Sequence, residues 1–302
     1  MNSFVSVIIT TYNREFEILE RAIKSVLNQT YTFFEIIVIE DCGDKKYNIA
    51  NKIKKYPNIN YYRNSINSGV SVARNIGIEL AKGEYVSFLD DDDEWLQNKL
   101  EKEIALLDKT NNSVGMVYSN YYKCFDNKNK KIANKQFIVN GDGLTPLLEK
   151  GNYIMFPIIK KECFTNVGYY DPDILRSEDY EMYLRILKKY KIIYNEAILS
   201  IYHINGTNKS SNKMEFIKAN IIIEKKHNAL LNKYPLGRYN VLLSRSKAYA
   251  KTGNSKLSLN TFFTAIKYSN IGQIKTSVFT LAYIILILIK NKYKLYSQKN
   301  IY

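Results

Sequence analysis

Four consecutive aspartates, Asp90-Asp91-Asp92-Asp93, stand with Glu94 directly behind the apolar run Tyr85–Leu89. Carboxylates crowded in this way repel one another unless positive charge lies among them. A divalent cation with hard oxygen ligands, itself bridging a diphosphate, meets that need. A solvated acidic loop capping the next helix is the alternative. A second acidic pair, Glu40-Asp41, ends the run Ile36–Ile39, and a carboxylate there can accept hydrogen bonds from a base N–H or a ribose hydroxyl. Thr10-Thr11-Tyr12-Asn13-Arg14 leaves a first apolar run, with a backbone and small side chains suited to flank a nucleotide and Asn13 expected as a helix N-cap. In Asn67-Ser68-Gly69-Val70-Ser71-Val72-Ala73-Arg74-Asn75, Gly69 permits a tight turn and Arg74 projects one helical turn later, toward a phosphate or a base. Arg176-Ser177-Glu178-Asp179-Tyr180 opens a further helix with two acids, Ser177 being its expected N-cap.

These pieces need a scaffold, and the apolar pattern supplies one. Short β-type runs at Phe4–Thr10, Phe34–Ile39, Ile59–Tyr62 and Tyr85–Leu89 alternate with helical spacing over 15–28, 45–55 and 70–82. Strand–helix alternation predicts a mostly parallel sheet covered on both faces, with ligands at the carboxyl ends of its strands. Beyond it, Val114–Tyr118 reads as a strand, 126–135 as an exposed hairpin tip or loop, and 178–190 as a helix with Tyr180, Tyr183, Leu184 and Leu187 on its apolar face.

Composition, with 46% hydrophobic and 24% charged residues, excludes a disordered or collagen-like chain. The formal charge of +15 is carried entirely by the last third: residues 205–302 hold 17 basic and 2 acidic side chains, whereas 1–204 hold 27 of each. A neutral body with a basic tail argues against a nucleic-acid binder. Cys42, Cys124 and Cys163 form no paired motif, so a reducing cytosol is the simplest setting, and the N-terminal residues read as a buried strand rather than a signal peptide. In the tail, Tyr249–Gly253 followed by Leu259, Phe262, Phe263 and Ala265 suggests a helical hairpin similar to one tetratricopeptide-type unit. Val278–Ile289 is apolar except for Thr280. As a helix of about 18 Å it falls short of roughly 30 Å of bilayer hydrocarbon. A core or dimer helix and a membrane-surface segment flanked by Lys290, Lys292, Lys294 and Lys299 both stay open. His227, in a Lys-rich stretch, reads as a surface residue.

The order of the motifs over about residues 3–205 resembles the inverting family 2 glycosyltransferases: Val-Ser-Val-Ile-Ile-Thr-Thr-Tyr-Asn, Glu-Asp, Asn-x-Gly-x-x-x-Ala-Arg-Asn, Leu-Asp-Asp-Asp-Asp-Glu-Trp and Ser-Glu-Asp. Thr10-Thr11 and Glu40-Asp41-Cys42-Gly43-Asp44 depart from the usual Pro-Thr and Asp-Asp-Gly-Ser. The resemblance implies a Rossmann-like, A-type glycosyltransferase fold with a mixed central sheet. Its domains would be a nucleotide-sugar half (1–110), an acceptor half (111–205) and a basic helical C-terminal region (206–302). Thr11, Tyr12 and Asp41 would line the nucleotide base and ribose, Arg74 would hold the nucleotide, and Asp90 and Asp91 would flank the donor. Asp92 would bind Mn²⁺ or Mg²⁺, with Asp91 and Asp93 open as shifted ligands. His203 would lie near the diphosphate and the metal, or else be a satisfied loop histidine. Asp179 would be the general base.

The chemistry so implied is a single displacement at an anomeric carbon, in which a carboxylate takes the acceptor's proton. The donor would be a nucleotide-sugar, a UDP-sugar by resemblance. The acceptor would be a glycan or a lipid-linked oligosaccharide of bacterial surface-polysaccharide synthesis. The enzyme would be cytoplasmic and peripheral on the inner membrane face, with an anionic membrane surface or a homodimer through the C-terminal helices as further partners. A nucleotidyltransferase is the rival enzyme, but Thr11–Glu15 lacks the glycine-rich basic loop it would need. A catalytically silent glycan or membrane scaffold is the other rival, opposed by the presence of both Asp92 and Asp179.

Overall fold

Val5, Val7, Ile8 and Ile9 are wholly buried in β1 (Val5–Thr11), as a parallel strand covered on both faces requires. The computed structural model describes residues 3–125, 129–133, 139–151, 154–204 and 212–299. Behind β1, α1 (Phe16–Leu27) buries Phe16, Leu19, Ala22, Ile23 and Val26, positions that share one face of a 3.6-residue helix. Next come β2 (Phe34–Glu40), the short turn α2 (Ile49–Lys52), β3 (Ile59–Arg63), α3 (Val70–Leu80) and β4 (Tyr85–Asp90). β3, β2, β1 and β4 lie side by side and parallel. α3 packs so close to β1 that a Cβ on Gly77 would stand 2.5 Å from Ile8 Cγ2.

The rest of the sheet is mixed. β5 (Glu94–Trp95), α4 (Lys99–Leu107), β6 (Val114–Phe125), β7 (Asn129–Ile132), α5 (Leu144–Lys150), β8 (Ile158–Lys160), α6 (Lys161–Val167), α7 (Glu178–Leu187) and β9 (Lys191–Ile204) follow in sequence. Across the sheet the order is β3-β2-β1-β4-β8-β6-β9-β5, with β7 paired to β6. β8 runs antiparallel to β4 and β6, and β5 runs antiparallel to β9. β4 and β5 are thus nearly consecutive in sequence yet far apart along the strand order, so the sheet must curl to bring its edge back to its middle. The architecture is a curled, mixed A-type sheet followed by a helical C-terminal region.

By contact the chain divides into two units, the first being 1–144, 153–172 and 178–208, the second 145–152, 173–177 and 209–302. The second contains α8 (Lys213–Lys226), α9 (Asn228–Lys233), α10 (Pro235–Lys251), α11 (Ser255–Ile266) and α12 (Ile274–Lys299). Tyr239, Leu242, Leu243, Ala250, Phe262, Ala265 and Ile284 form its core. α10 and α11 make the expected hairpin, turning at Gly253, whose φ of 79° suits a residue without Cβ. Ser246 and Ser258 lock it by each donating its hydroxyl to the other's carbonyl, at 2.7 and 2.9 Å.

Several local expectations are corrected. The 45–55 helix is broken into short turns, because Asn48 takes a left-handed φ of 53°, which its short polar side chain tolerates. Asn13 is no N-cap: its φ is 49°, its Oδ1 accepts from the Asp44 N–H at 2.6 Å, and α1 starts after Glu15. Ser177 has a φ of 59°, unlike the extended backbone of a regular N-cap. Of 126–135, residues 129–132 pair as a strand, while 126–128 and 134–135 lie outside the described residues. His227 is buried at the junction of α8 and α9, not a surface residue. The apolar run at 278–289 also underestimates its helix: Ile271–Asn291 is 21 residues long and apolar enough to cross a membrane by length and composition. Lys275, Thr276 and Ser277 interrupt the apolar pattern ahead of Val278, and Lys290 closes it.

Candidate active site

β1, β2 and β4 end together, because their register pairs Thr10 with both Ile39 and Asp90. The loops that follow therefore converge, and the acids meet cations from the neighbouring strand end. Thr11 donates its hydroxyl to Asp91 Oδ2 at 2.7 Å, and Arg14 Nε donates to Asp91 Oδ1 at 2.9 Å. Arg14 Nη2 also reaches Asp92 Oδ2 at 3.1 Å, while Arg21 donates to the Asp92 carbonyl at 2.5 Å. Burial pushes the Asp91 carboxyl up in pKa against the opposing pull of Arg14 and Thr11. Burial and then the Asp91 charge do the same to Asp92. Asp93 is raised well above the ordinary carboxylate range by burial, then by Asp90 and Asp92. Its Oδ1 accepts from the His203 backbone N–H at 2.7 Å, and its Oδ2 is buried with no hydrogen-bond partner among the described residues. The curl of the sheet brings His203 here, since β9 is the partner of β5, and His203 Nε2 lies 2.6 Å from Glu94 Oε1. Among the described residues no three Asp, Glu, His or Cys side chains converge as a ready-made cation site.

The Asp41 carboxylate shapes a loop. Its Oδ1 accepts from Asn64 Nδ2 at 2.8 Å and from the Ser68 N–H at 3.0 Å, and its Oδ2 accepts from the Gly69 N–H at 2.7 Å. Gly69, with a φ of 87°, then turns the chain into α3. The Asp41 N–H donates to the Thr11 carbonyl at 2.9 Å, which ties the exits of β1 and β2 together, and Tyr12 follows Thr11 on the first of them.

Arg74 joins the two acidic motifs. Its Nη1 donates to Glu178 Oε1 at 2.7 Å and its Nη2 to Asp90 Oδ1 at 3.2 Å, while the guanidinium lies 5.5 Å from the ring centroids of both Phe88 and Tyr170. The two rings meet edge to face at 5.6 Å, and Asn75 fixes Tyr170 by exchanging two 2.8 Å hydrogen bonds with its backbone. Burial alone would lower the Arg74 pKa, but Glu178 and then Asp90 hold it above the ordinary value. Asp179, half-buried at the start of α7, is pushed up to about 6 by desolvation and then by the Glu178 charge. It is a carboxylate that can take or release a proton near neutral pH.

The structure thus gathers Thr11, Arg74 and Asp90–Asp93, joins Asp179's neighbour Glu178 to them through Arg74, and sets His203 beside Asp93 and Glu94. Arg14, Arg21 and Tyr170 escaped the sequence reading. Arg14 lay inside a motif already singled out, and the signal that could have found it was the neighbouring placement of β1 and β4, which puts a basic strand exit opposite an acidic one.

Known proteins share this framework. The Glycosyl transferase family 2 model matches residues 6–173. The Escherichia coli protein UDP-Glc:alpha-D-GlcNAc-diphosphoundecaprenol beta-1,3-glucosyltransferase WfgD is 32% identical over 229 residues, covering 71% of this chain and 82% of that protein. A second E. coli protein of the same described activity, WfaP, is 30% identical, covering 70% and 81%. Among solved structures, S. aureus TarS 1–349 in complex with UDP-GlcNAc aligns over 87% of this chain and 90% of its own, with a TM-score of 0.61 at 15% identity. A longer TarS structure aligns over 94% of this chain, which spans 54% of it, with a TM-score of 0.64. At 15% identity that likeness is one of fold. The family match takes in the strand-end acids and Arg74 and stops six residues before Asp179, and on that match this chain belongs to glycosyl transferase family 2.

Proposed function

We propose that the protein is an inverting hexosyltransferase that moves a sugar from a UDP-sugar to a hydroxyl of a glycan or lipid-linked acceptor in bacterial surface-polysaccharide synthesis. The observation that carries this reading is the Arg74 bridge between Asp90 and Glu178. It sets the acids of a donor-binding strand end and the acids opening α7 around one cation. The donor and acceptor named for WfgD and WfaP, together with the UDP-GlcNAc complex of the TarS fold relative, support the choice of substrates.

In this mechanism Asp179 accepts the acceptor hydroxyl's proton as that oxygen attacks, a role suited to a carboxylate that is ionised above about pH 6. Arg74, lying against two rings that meet each other edge to face, holds the nucleotide and keeps Asp90 oriented toward the ribose. Thr11, Tyr12 and Asp41 form the wall for base and ribose, with Asp91 fixed behind them by Thr11 and Arg14. The residues fit a hard divalent cation: Asp92 is a carboxylate in a surplus of negative charge, and the neighbouring Asp93 keeps a buried oxygen without a partner among the described residues. Asp92 and His203 would hold the ion, the Glu94 contact of His203 Nε2 being the kind of bond that orients an imidazole for a metal. A bound Mn²⁺ or Mg²⁺ supplies neutralisation of the charge on the departing nucleoside diphosphate. Residues 1–110 serve the donor and 111–205 the acceptor, and 206–302 associate peripherally with the inner membrane face.

A thermal-shift series with UDP, GDP and CDP, each with and without Mn²⁺, tests the reading. UDP with Mn²⁺ is expected to raise Tm most. Equal shifts for all three, or a UDP shift indifferent to Mn²⁺ and to Asp92→Asn, overturn the donor and metal assignments.

A further inference from the structure

α12 is built into its own helical unit along one side and bare along the other. On the packed side, Ile284 is fully buried, Ser277 Oγ lies 2.9 Å from the Tyr239 hydroxyl, and Asn291 Nδ2 donates to the Ala250 carbonyl at 3.1 Å. On the other side Ile274, Val278, Phe279, Ile285, Leu286 and Ile289 are all exposed. At about 100° per residue these positions span roughly 140° of the helix circumference. So wide an apolar face on a charged, helical unit needs a cover. A helix anchored on one side to α10 lies in the plane of a surface rather than through it.

The edge of the bare face is cationic. Lys247 and Lys251 of α10 face Thr276, Phe279, Thr280 and Tyr283 of α12 across a groove. Lys251 Nζ sits 6.0 Å from the Tyr283 ring centroid, and among the described residues neither lysine has a carboxylate within ion-pair distance. Burial and then the Lys251 charge push the Lys247 pKa down, a cost that an anion in the groove would relieve. The surrounding tail, with 17 basic and 2 acidic residues over 205–302, complements a negative surface.

We propose that α12 lies in the interface of an anionic phospholipid bilayer, its exposed apolar face among the acyl chains, and that the α10–α12 groove holds a lipid phosphate between Lys247, Lys251, Thr276 and Thr280. This rests on the peripheral-membrane reading above and adds to it a specific site.

Flotation of the full chain with phosphatidylcholine vesicles, with and without phosphatidylglycerol, is the test. The unsubstituted chain is expected to float only with the anionic vesicles. K247Q/K251Q should weaken that binding about thirtyfold, at roughly a tenfold per 1.4 kcal/mol and about 1 kcal/mol for each lysine. K218Q/K225Q, which removes the same charge from exposed sites on α8, should weaken it by about threefold or less, with circular dichroism confirming equal folding of both. If the two double variants weaken equally, the groove is overturned and the membrane reading stands. If the unsubstituted chain ignores anionic vesicles, the membrane reading itself falls. Resistance to alkaline carbonate would instead overturn the in-plane helix in favour of a spanning one. A dimer in light scattering that F279E dissociates, without vesicle binding, would assign the face to a second copy of the chain.

Discussion

Arg74 Nη1 lies 2.7 Å from Glu178 Oε1, a contact between residues 104 positions apart in the chain. Because the same guanidinium reaches Asp90, one buried cation balances acids from two motifs. It also restrains Asp179, whose raised pKa it counteracts. Arg74→Gln is expected to destabilise the fold by about 1–3 kcal/mol, since it removes the cation shared by the partly covered Glu178 and the more exposed Asp90. In the surviving folded enzyme the acid limb of kcat/KM should move upward by about one pH unit. A pH–rate profile checks this, and an unmoved limb would count against the coupling.

Asp179→Asn should separate stability from activity. The folded carboxyl titrates near 6, above the roughly 3.9 of an unfolded Asp. Between those values the native state holds more protons than the unfolded one, so stability falls as pH rises and the loss is complete above about 6. The Asn variant escapes that loss. It should be more stable than the parent by up to about 3 kcal/mol at pH 8, with the gap closing toward pH 4. Its turnover should drop by about 10²–10⁴. Chemical denaturation at both pH values, beside a transfer assay, reads out both arms.

Asp41→Ala removes the acceptor for the Ser68 and Gly69 N–H groups and for Asn64. The loop that aims α3 at the site loses its anchor, so the donor KM should rise by about tenfold or more with a cost in stability of about 1–3 kcal/mol. Asp41→Asn keeps an acceptor oxygen and should be milder. Equal KM for the alanine variant and the parent would deny the loop its role in donor binding.

Gly77→Ala tests the packing behind the site. The new methyl would stand 2.5 Å from Ile8 Cγ2, a buried β-branched side chain with little freedom to turn away. A loss of about 1–3 kcal/mol is expected, and in an Ile8→Ala background, where Cγ2 is gone, the added cost of Gly77→Ala should largely vanish.

The strand ends that carry the site were legible because each apolar run stops at an acid or a threonine: Thr10-Thr11, Glu40-Asp41 and Asp90 all fall where β1, β2 and β4 end. Periodicity also found α1, α3 and α7. What it could not show depended on which strands are neighbours. Arg14 meets Asp91 only because β1 lies beside β4, and His203 meets Glu94 only because β9 takes β5 as its partner. Single-residue backbone choices were equally hidden, as at Asn13 and Asn48, where left-handed geometry replaced the expected cap and helix. The full length of α12 was missed because Lys275, Thr276 and Ser277 broke the apolar pattern without breaking the helix.

The chain leaves the interior of its sheet at Asp90 and rejoins the far edge at Glu94. Both ends of that stretch are nailed to strands, so its three intervening residues form a clasp of fixed length. Side chains there can be exchanged one for another, but a single inserted or deleted residue would unhook β5 from β9 or turn Trp95 out of the core. Homologues and engineered variants should therefore differ at these positions in residue type and never in residue number.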